Sequence, residues 1–151
     1  MLDLALVKYK SVKDDVKDAF ETGFTDYDRH VFGLKRQEIS LWVARNGEGK
    51  STAASQVIAH NLKQGNKVYL YSGELSENKI QHWLYSQVVG SKEEWYENVE
   101  TRFGNTRQVK KKAVYALKKW HSKKLFGFDR NTKKIKDNVA LIHADMESAA
   151  N

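Results

Sequence analysis

The sequence predicts an α/β fold, with a parallel sheet flanked by helices. Three observations lead there. Short apolar runs of strand length, at 39–44, 67–71 and 124–128, alternate with segments of helical periodicity. Glycines stand at the junctions, and with no proline in the chain they alone punctuate it. The chain has 151 residues, 40% of them hydrophobic, which is enough to bury one core of ordinary size. Strand, helix, strand, helix is the order of parallel strands joined by helical crossovers.

Taken in order, the elements have local causes. In "SVKDDVKDAF", Val12, Val16 and Phe20 lie four apart and share one helical stripe. "ISLWVA", 39–44, reads as a buried strand. From Lys50 to Gln64, the residues Ala54, Val57, Ile58 and Leu62 recur at helical spacing, and Gly65 supplies the stop. "KVYLY", 67–71, is rich in β-branched and aromatic residues and reads as a second strand. Ser76 is placed to cap a helix carrying Ile80, Trp83, Leu84 and Val88 on one face, ending at Gly90. A third helix is expected over 92–102. A fourth, over 107–122, puts Val109, Ala113, Ala116, Leu117 and Trp120 on one stripe. "KLFGF", 124–128, reads as a third strand, and "DRNTKKIKD", 129–137, as a loop. Towards the C-terminus, Val139, Ile142, Met146 and Ala149 share a helical face, with Asp145, Glu147 and Ser148 off it. The alternative there is an apolar strand ending in Asp145.

Composition excludes several classes. Without cysteine there is no disulfide framework and no thiolate metal site. The five histidines are scattered, none at a metal-ligand spacing. No apolar run approaches the ~20 residues of a membrane span, and lysines interrupt the short apolar start, so no signal-peptide layout is present. A cytoplasmic protein is expected. The net charge is +7, and 13 of the 26 Lys and Arg fall between Arg102 and Lys136 against one acid, Asp129. Such asymmetry favours a polyanion partner. The plainer alternative is a solvated basic helix over 107–124, whose lysines fall away from the apolar stripe.

"ARNGEGKST", residues 44–52, is the stretch that packing does not explain. A phosphate-binding turn needs small residues for close approach, backbone N–H groups at a helix N-terminus, a lysine for charge and a hydroxyl for magnesium. Gly47 and Gly49 offer the approach, Lys50 the charge and Ser51 the metal ligand, between an expected strand and an expected helix. The usual pattern, G-x-x-x-x-G-K-[ST], begins with glycine, where this chain has Ala44, followed by Arg45, Asn46 and Glu48 inside the loop. Glu74, just past the second strand in "YSGELS", stands where ligands sit on parallel sheets. It could position a water at a γ-phosphate, or simply complement a helix N-terminus.

The stretch "ETGFTDYDRHVFGLKRQEISLWVARNGEGKSTAASQVIAHNLKQGNKVYLYSGELS" resembles the start of the helicase domain of DnaB-type replicative helicases, most closely short phage forms. Four signals occur in the family's order: Thr22 to Asp28, Gly33 to Glu38, the loop ending G-K-[ST], and Ser72, Glu74 and Ser76 after the second strand. The resemblance covers about residues 20–90 and implies a RecA-like core that hydrolyses ATP or another NTP with Mg2+, usually as a hexameric ring, to move along single-stranded DNA. On that reading Gly47, Gly49, Lys50 and Ser51 take the phosphate and magnesium roles, Thr52 lines the pocket, and Glu74 is the catalytic glutamate. Residues 1–20 are expected to be a linker or helix that docks on a neighbouring subunit or packs on its own domain. Residues 21–151 are expected to form the N-terminal part of the helicase domain. The family's second magnesium-site aspartate, DNA-contacting loops and neighbour-reaching arginine belong to later segments. The 151 residues are therefore expected to be an incomplete core that binds nucleotide weakly and hydrolyses little. A nucleotide-binding module without turnover is the alternative. The resemblance gives no DNA role to the lysines of 107–124.

Overall fold

The computed structural model describes residues 11–127, together with Met146 and Ser148, which are helical. The expected loop 129–137, residues 1–10, and Asp145 with most of its expected helix lie outside the described residues. In order, the elements are α1 (Val12–Val16), α2 (Thr25–Val31), α3 (Lys50–Gln64), β1 (Val68–Leu70), α4 (Glu77–Val89), a 3-10 turn (Glu93–Trp95), β2 (Tyr96–Thr101), β3 (Gly104–Val109), α5 (Lys111–His121) and β4 (Leu125–Gly127).

The parallel arrangement expected from sequence is present in its second and third strands. β1 pairs parallel with β4, Val68 opposite Leu125 and Leu70 opposite Gly127. Between these strands the chain runs through α4, a hairpin and α5. The core sits where the helices meet: Leu62 of α3, Leu84 and Tyr85 of α4, Val109 at the end of β3 and Ala113 of α5. Leu125 of β4 and Trp95 and Trp120 pack around it. Full burial of a leucine, as at Leu62 and Leu84, stabilises by about 1.5–3 kcal/mol.

α3 has the bounds its sequence predicts. Gly49 and Gly65 flank it at φ 87° and 91°, a region most residues avoid. At its C-terminus the Gly65 and Asn66 amides donate to the carbonyls of Leu62 and Asn61, satisfying groups that the helix leaves open. Ser76 and Gly90 likewise bound α4, although the Ser76 hydroxyl makes no capping bond.

Four expectations need correction. Residues 39–44 are irregular, not a strand. Ile39, Leu41 and Val43 are 97%, 84% and 82% exposed, while Trp42 packs its ring 6.0 Å from Phe24 and 5.5 Å from Tyr27. The alternation is that of a strand, but no described strand lies beside it, and a lone strand has no ladder to hold it. The helix expected over 92–102 is the 3-10 turn followed by β2. The helix expected from 107 begins at Lys111, because 104–109 is β3. β2 and β3 form an antiparallel hairpin closed by the two residues Arg102 and Phe103. Gly104 at φ 108° and a 2.7 Å bond from the Thr101 hydroxyl to the Gly104 carbonyl set this turn. Finally, the stripe of Val12, Val16 and Phe20 is broken. α1 stops at Val16, and Phe20 instead exchanges backbone bonds with Leu34 at 2.8 and 2.7 Å.

Candidate functional site

The loop 44–52 is built around its two glycines. Gly47 and Gly49 sit at φ 83° and 87°, so two residues two apart take a conformation that side chains disfavour. A Cβ at either would meet nothing within 4 Å, so the backbone face there is open. The Glu48 carboxylate accepts the Arg45 amide at 2.7 Å, and the Glu48 amide donates to the Arg45 carbonyl at 3.3 Å. These bonds close the turn on itself.

Lys50, the first residue of α3, folds back across that turn. Its ammonium donates to the Ala44 carbonyl at 2.7 Å and to the Arg45 carbonyl at 2.8 Å. An ammonium has three donors, and the third has no partner among the described residues. The Ser51 and Thr52 side chains are exposed, and neither hydroxyl is engaged among the described residues. The Ser51 carbonyl takes the Ser55 hydroxyl at 2.8 Å, and the Thr52 carbonyl takes the Gln87 amide at 2.9 Å, which fixes the first turn of α3 against α4. Ser51 also lines a cavity of about 180 Å³ with Leu70, Tyr71 and Ser72 at the carboxyl end of β1. Ligands of open parallel sheets sit at that end.

The structure thus gathers Ala44 to Lys50 into one turn and sets Ser51 beside the end of β1. It does not bond Glu74 to them. Glu74 is exposed in a bend two residues past Ser72, and no hydrogen bond or ion pair joins it to the loop among the described residues. The Ser72 hydroxyl accepts the Leu75 amide at 3.0 Å and shapes that bend. Among the described residues no three acidic or histidine side chains converge as a metal site. The donor set fits an ion held by one protein hydroxyl, with its other oxygens from phosphate and water.

What sequence reasoning missed is how the loop's helix is held from behind. The Asp28 carboxylate accepts the Thr22 amide at 2.9 and 3.0 Å, the Thr22 hydroxyl at 2.8 Å and the Gly23 amide at 3.0 Å. Thr22 is fully buried. Gly23 has φ 84°, and a Cβ there would stand 2.8 Å from the His60 ring. The neighbouring Glu21 bonds to three residues of α3: its carbonyl takes the Asn61 amide at 2.9 Å, and its carboxylate meets His60 at 3.1 Å and Gln64 at 2.8 Å. "ETGFTDYD" is therefore a clamp that seats α3, and through α3 the loop. The shared spacing of Thr22 and Asp28 was the one signal of it.

A family model described as the DnaB-like helicase C terminal domain matches residues 19–145. The chain belongs to the DnaB-like helicase family. That match takes in the Thr22–Asp28 clamp, the glycine loop, α3 and the β1–β4 pair, so the small parallel sheet is part of a RecA-like α/β domain. No curated protein and no solved structure gives a significant match. Membership makes this a helicase-family domain connected with DNA replication. No described helix is long and apolar enough to cross a membrane.

Proposed function

We propose that residues 44–52 hold the phosphates of a nucleoside triphosphate, ATP in the first instance, and that the domain uses its hydrolysis to drive movement on single-stranded DNA. The observation carrying this reading is the turn itself: two positive-φ glycines, an open backbone face, and Lys50 poised across it at the head of α3. Gly47 and Gly49 let phosphate oxygens approach the backbone, with Ala44, Arg45, Asn46 and Glu48 forming the rest of the cradle. The remaining Lys50 donor, or one released from a carbonyl, goes to a β- or γ-phosphate oxygen. Magnesium, when bound, offsets phosphate charge and polarises the γ-phosphate; Ser51 supplies the protein ligand for it, and Thr52 borders the same site. Glu74 orients the attacking water once the bend 72–75 turns towards the cavity at the end of β1. The family's general use of single-stranded DNA and hexameric assembly supports the rest of the reading.

A second reading, binding without turnover, is favoured by Glu74, which is exposed and makes no hydrogen bond or ion pair among the described residues. Titrating a fluorescent ATP analogue with magnesium tests the shared first step. Saturable binding is expected for the chain, with a loss of about tenfold or more in Lys50→Ala, which removes the loop's one ammonium. Equal affinity in the two would remove the phosphate-loop assignment.

A further inference from the structure

The basic half of the chain carries a surface that the nucleotide reading does not use. On α5 the buried side is Ala113, with Val114, Leu117, Trp120 and His121 partly covered. The opposite side is an arc of about 120°, at about 100° per residue, made of Lys118, Lys111, Tyr115, Lys119 and Lys112. Tyr115 is at its centre and 75% exposed. The four lysines are its neighbours at three and four residues either way, and all four are exposed. Among the described residues none of the four has an ion pair. No acid occurs anywhere from Lys110 to Lys124.

The ring of Tyr115 differs from the other aromatic rings of this region. The Arg102 guanidinium covers Phe103 at 4.5 Å, and Arg107 covers Tyr96 at 3.8 Å. Tyr115 has no such cover and no ring partner among the described residues. A solvated helix face accounts for the lysines. It does not account for a bare aromatic ring in the middle of them.

We propose that this face of α5 is a binding site for single-stranded nucleic acid, with Tyr115 as a stacking platform and Lys111, Lys112, Lys118 and Lys119 as phosphate contacts. The ligand chemistry follows from the pattern. A stacked base needs one open π-face, and a strand running past it needs cations on both sides. A lipid surface would need more apolar residues on the same arc than one tyrosine. A protein partner would need a desolvated apolar centre, which four lysines around one phenol do not supply. The site lies on an element separate from the glycine loop and does not depend on the nucleotide reading.

The test uses the 151-residue chain and labelled oligo(dT) and oligo(rU) of about 15 nucleotides, followed by fluorescence anisotropy at about 50 and 200 mM salt. Four phosphate contacts give a log–log salt slope of about −2.8, hence about a 50-fold loss of affinity over that range. Tyr115→Ala is expected to weaken binding by about fivefold or more, and Tyr115→Trp to restore it. Changing Lys111, Lys112, Lys118 and Lys119 to Gln should flatten the slope by most of that amount. The same change at Lys13, Lys17, Lys63 and Lys79, four exposed lysines on other elements, should leave most of the slope. Binding of either oligonucleotide in this pattern supports the site and shows whether DNA or RNA is preferred. The proposal fails if neither binds, if Tyr115→Ala binds as wild type does, if the control lysines flatten the slope equally, or if a glutamate-rich peptide competes as well as oligo(dT). Circular dichroism of each variant separates these outcomes from unfolding, and unchanged ATP-analogue binding in Tyr115→Ala separates them from the glycine loop.

Discussion

Removing the Asp28 carboxylate should loosen the whole seat of α3. Three donors depend on it: the Thr22 amide, the Thr22 hydroxyl and the Gly23 amide, at 2.8 to 3.0 Å. Thr22 is fully buried, so in Asp28→Ala its donors find no water in place of the lost oxygens. A hydrogen bond to a charged group contributes about 1.5–3 kcal/mol. Three bonds to one partly buried carboxylate do not add in full, so the expected loss is about 3–4 kcal/mol. With a urea dependence of about 1–2 kcal/mol per molar, the unfolding midpoint should fall by about 2 M. Asp28→Asn keeps one acceptor oxygen and should lose roughly half as much. Asp26→Ala is the control. Its carboxylate is 91% exposed, meets Arg29 alone among the described residues, at 3.6 Å, and should move the midpoint little. An Asp28→Ala chain within about 0.5 kcal/mol of wild type would refute the clamp.

Further predictions follow from the same contacts. Gly65→Ala and Gly23→Ala impose the same backbone strain, at φ 91° and 84°, costing about 1–2 kcal/mol. Only Gly23 would add a Cβ 2.8 Å from His60, so urea unfolding should show the larger loss there. In a preparation with measurable ATP turnover, Glu74→Gln should keep nucleotide binding and lose turnover, because the amide preserves shape but cannot take a proton. Turnover near wild type would make Glu74 no more than an acid beside the α4 N-terminus. Burial, aided by the charge of Lys118 and opposed by a backbone hydrogen bond, holds the His121 pKa below its usual value, and Nε2 lies 2.8 Å from the Tyr85 hydroxyl. The folded state therefore binds that proton less readily than the unfolded chain. The stability this gives is present above the unfolded pKa of about 6.5 and is lost as pH falls through the folded one. Urea midpoints should drop from about pH 7.5 to about pH 5, and the drop should be smaller in His121→Gln. An identical pH profile in the variant would contradict it.

The parts of this fold legible in the sequence are those that local chemistry decides. α3 could be bounded because glycines stand at both ends and its apolar residues repeat between them. β1 and β4 could be placed because "VYL" and "LFG" are short and apolar. The stretch 39–44 has the alternation of a strand, yet a strand also needs a neighbour, and that is not a local property. In 92–109, Trp95 and Val99 have helical spacing, but the tight turn at Arg102 and Phe103 with Gly104 after it reverses the chain before a helix can extend. The glycine loop was legible as a tight turn because Gly47 and Gly49 take the positive φ that glycine favours. The clamp behind it was not, because Glu21 meets His60, Asn61 and Gln64 across about 40 positions of chain.

The central claim is that a nucleoside triphosphate sits on the backbone of the glycine loop. Amide NMR of the 15N-labelled chain, recorded as Mg-ATP is added, tests it most directly, because the claim concerns those N–H groups. The predicted result is saturable shifts concentrated at residues 45–52, with smaller changes at Tyr71 to Leu75 and none along the exposed face of α5. Saturation elsewhere with residues 45–52 unmoved would contradict the account.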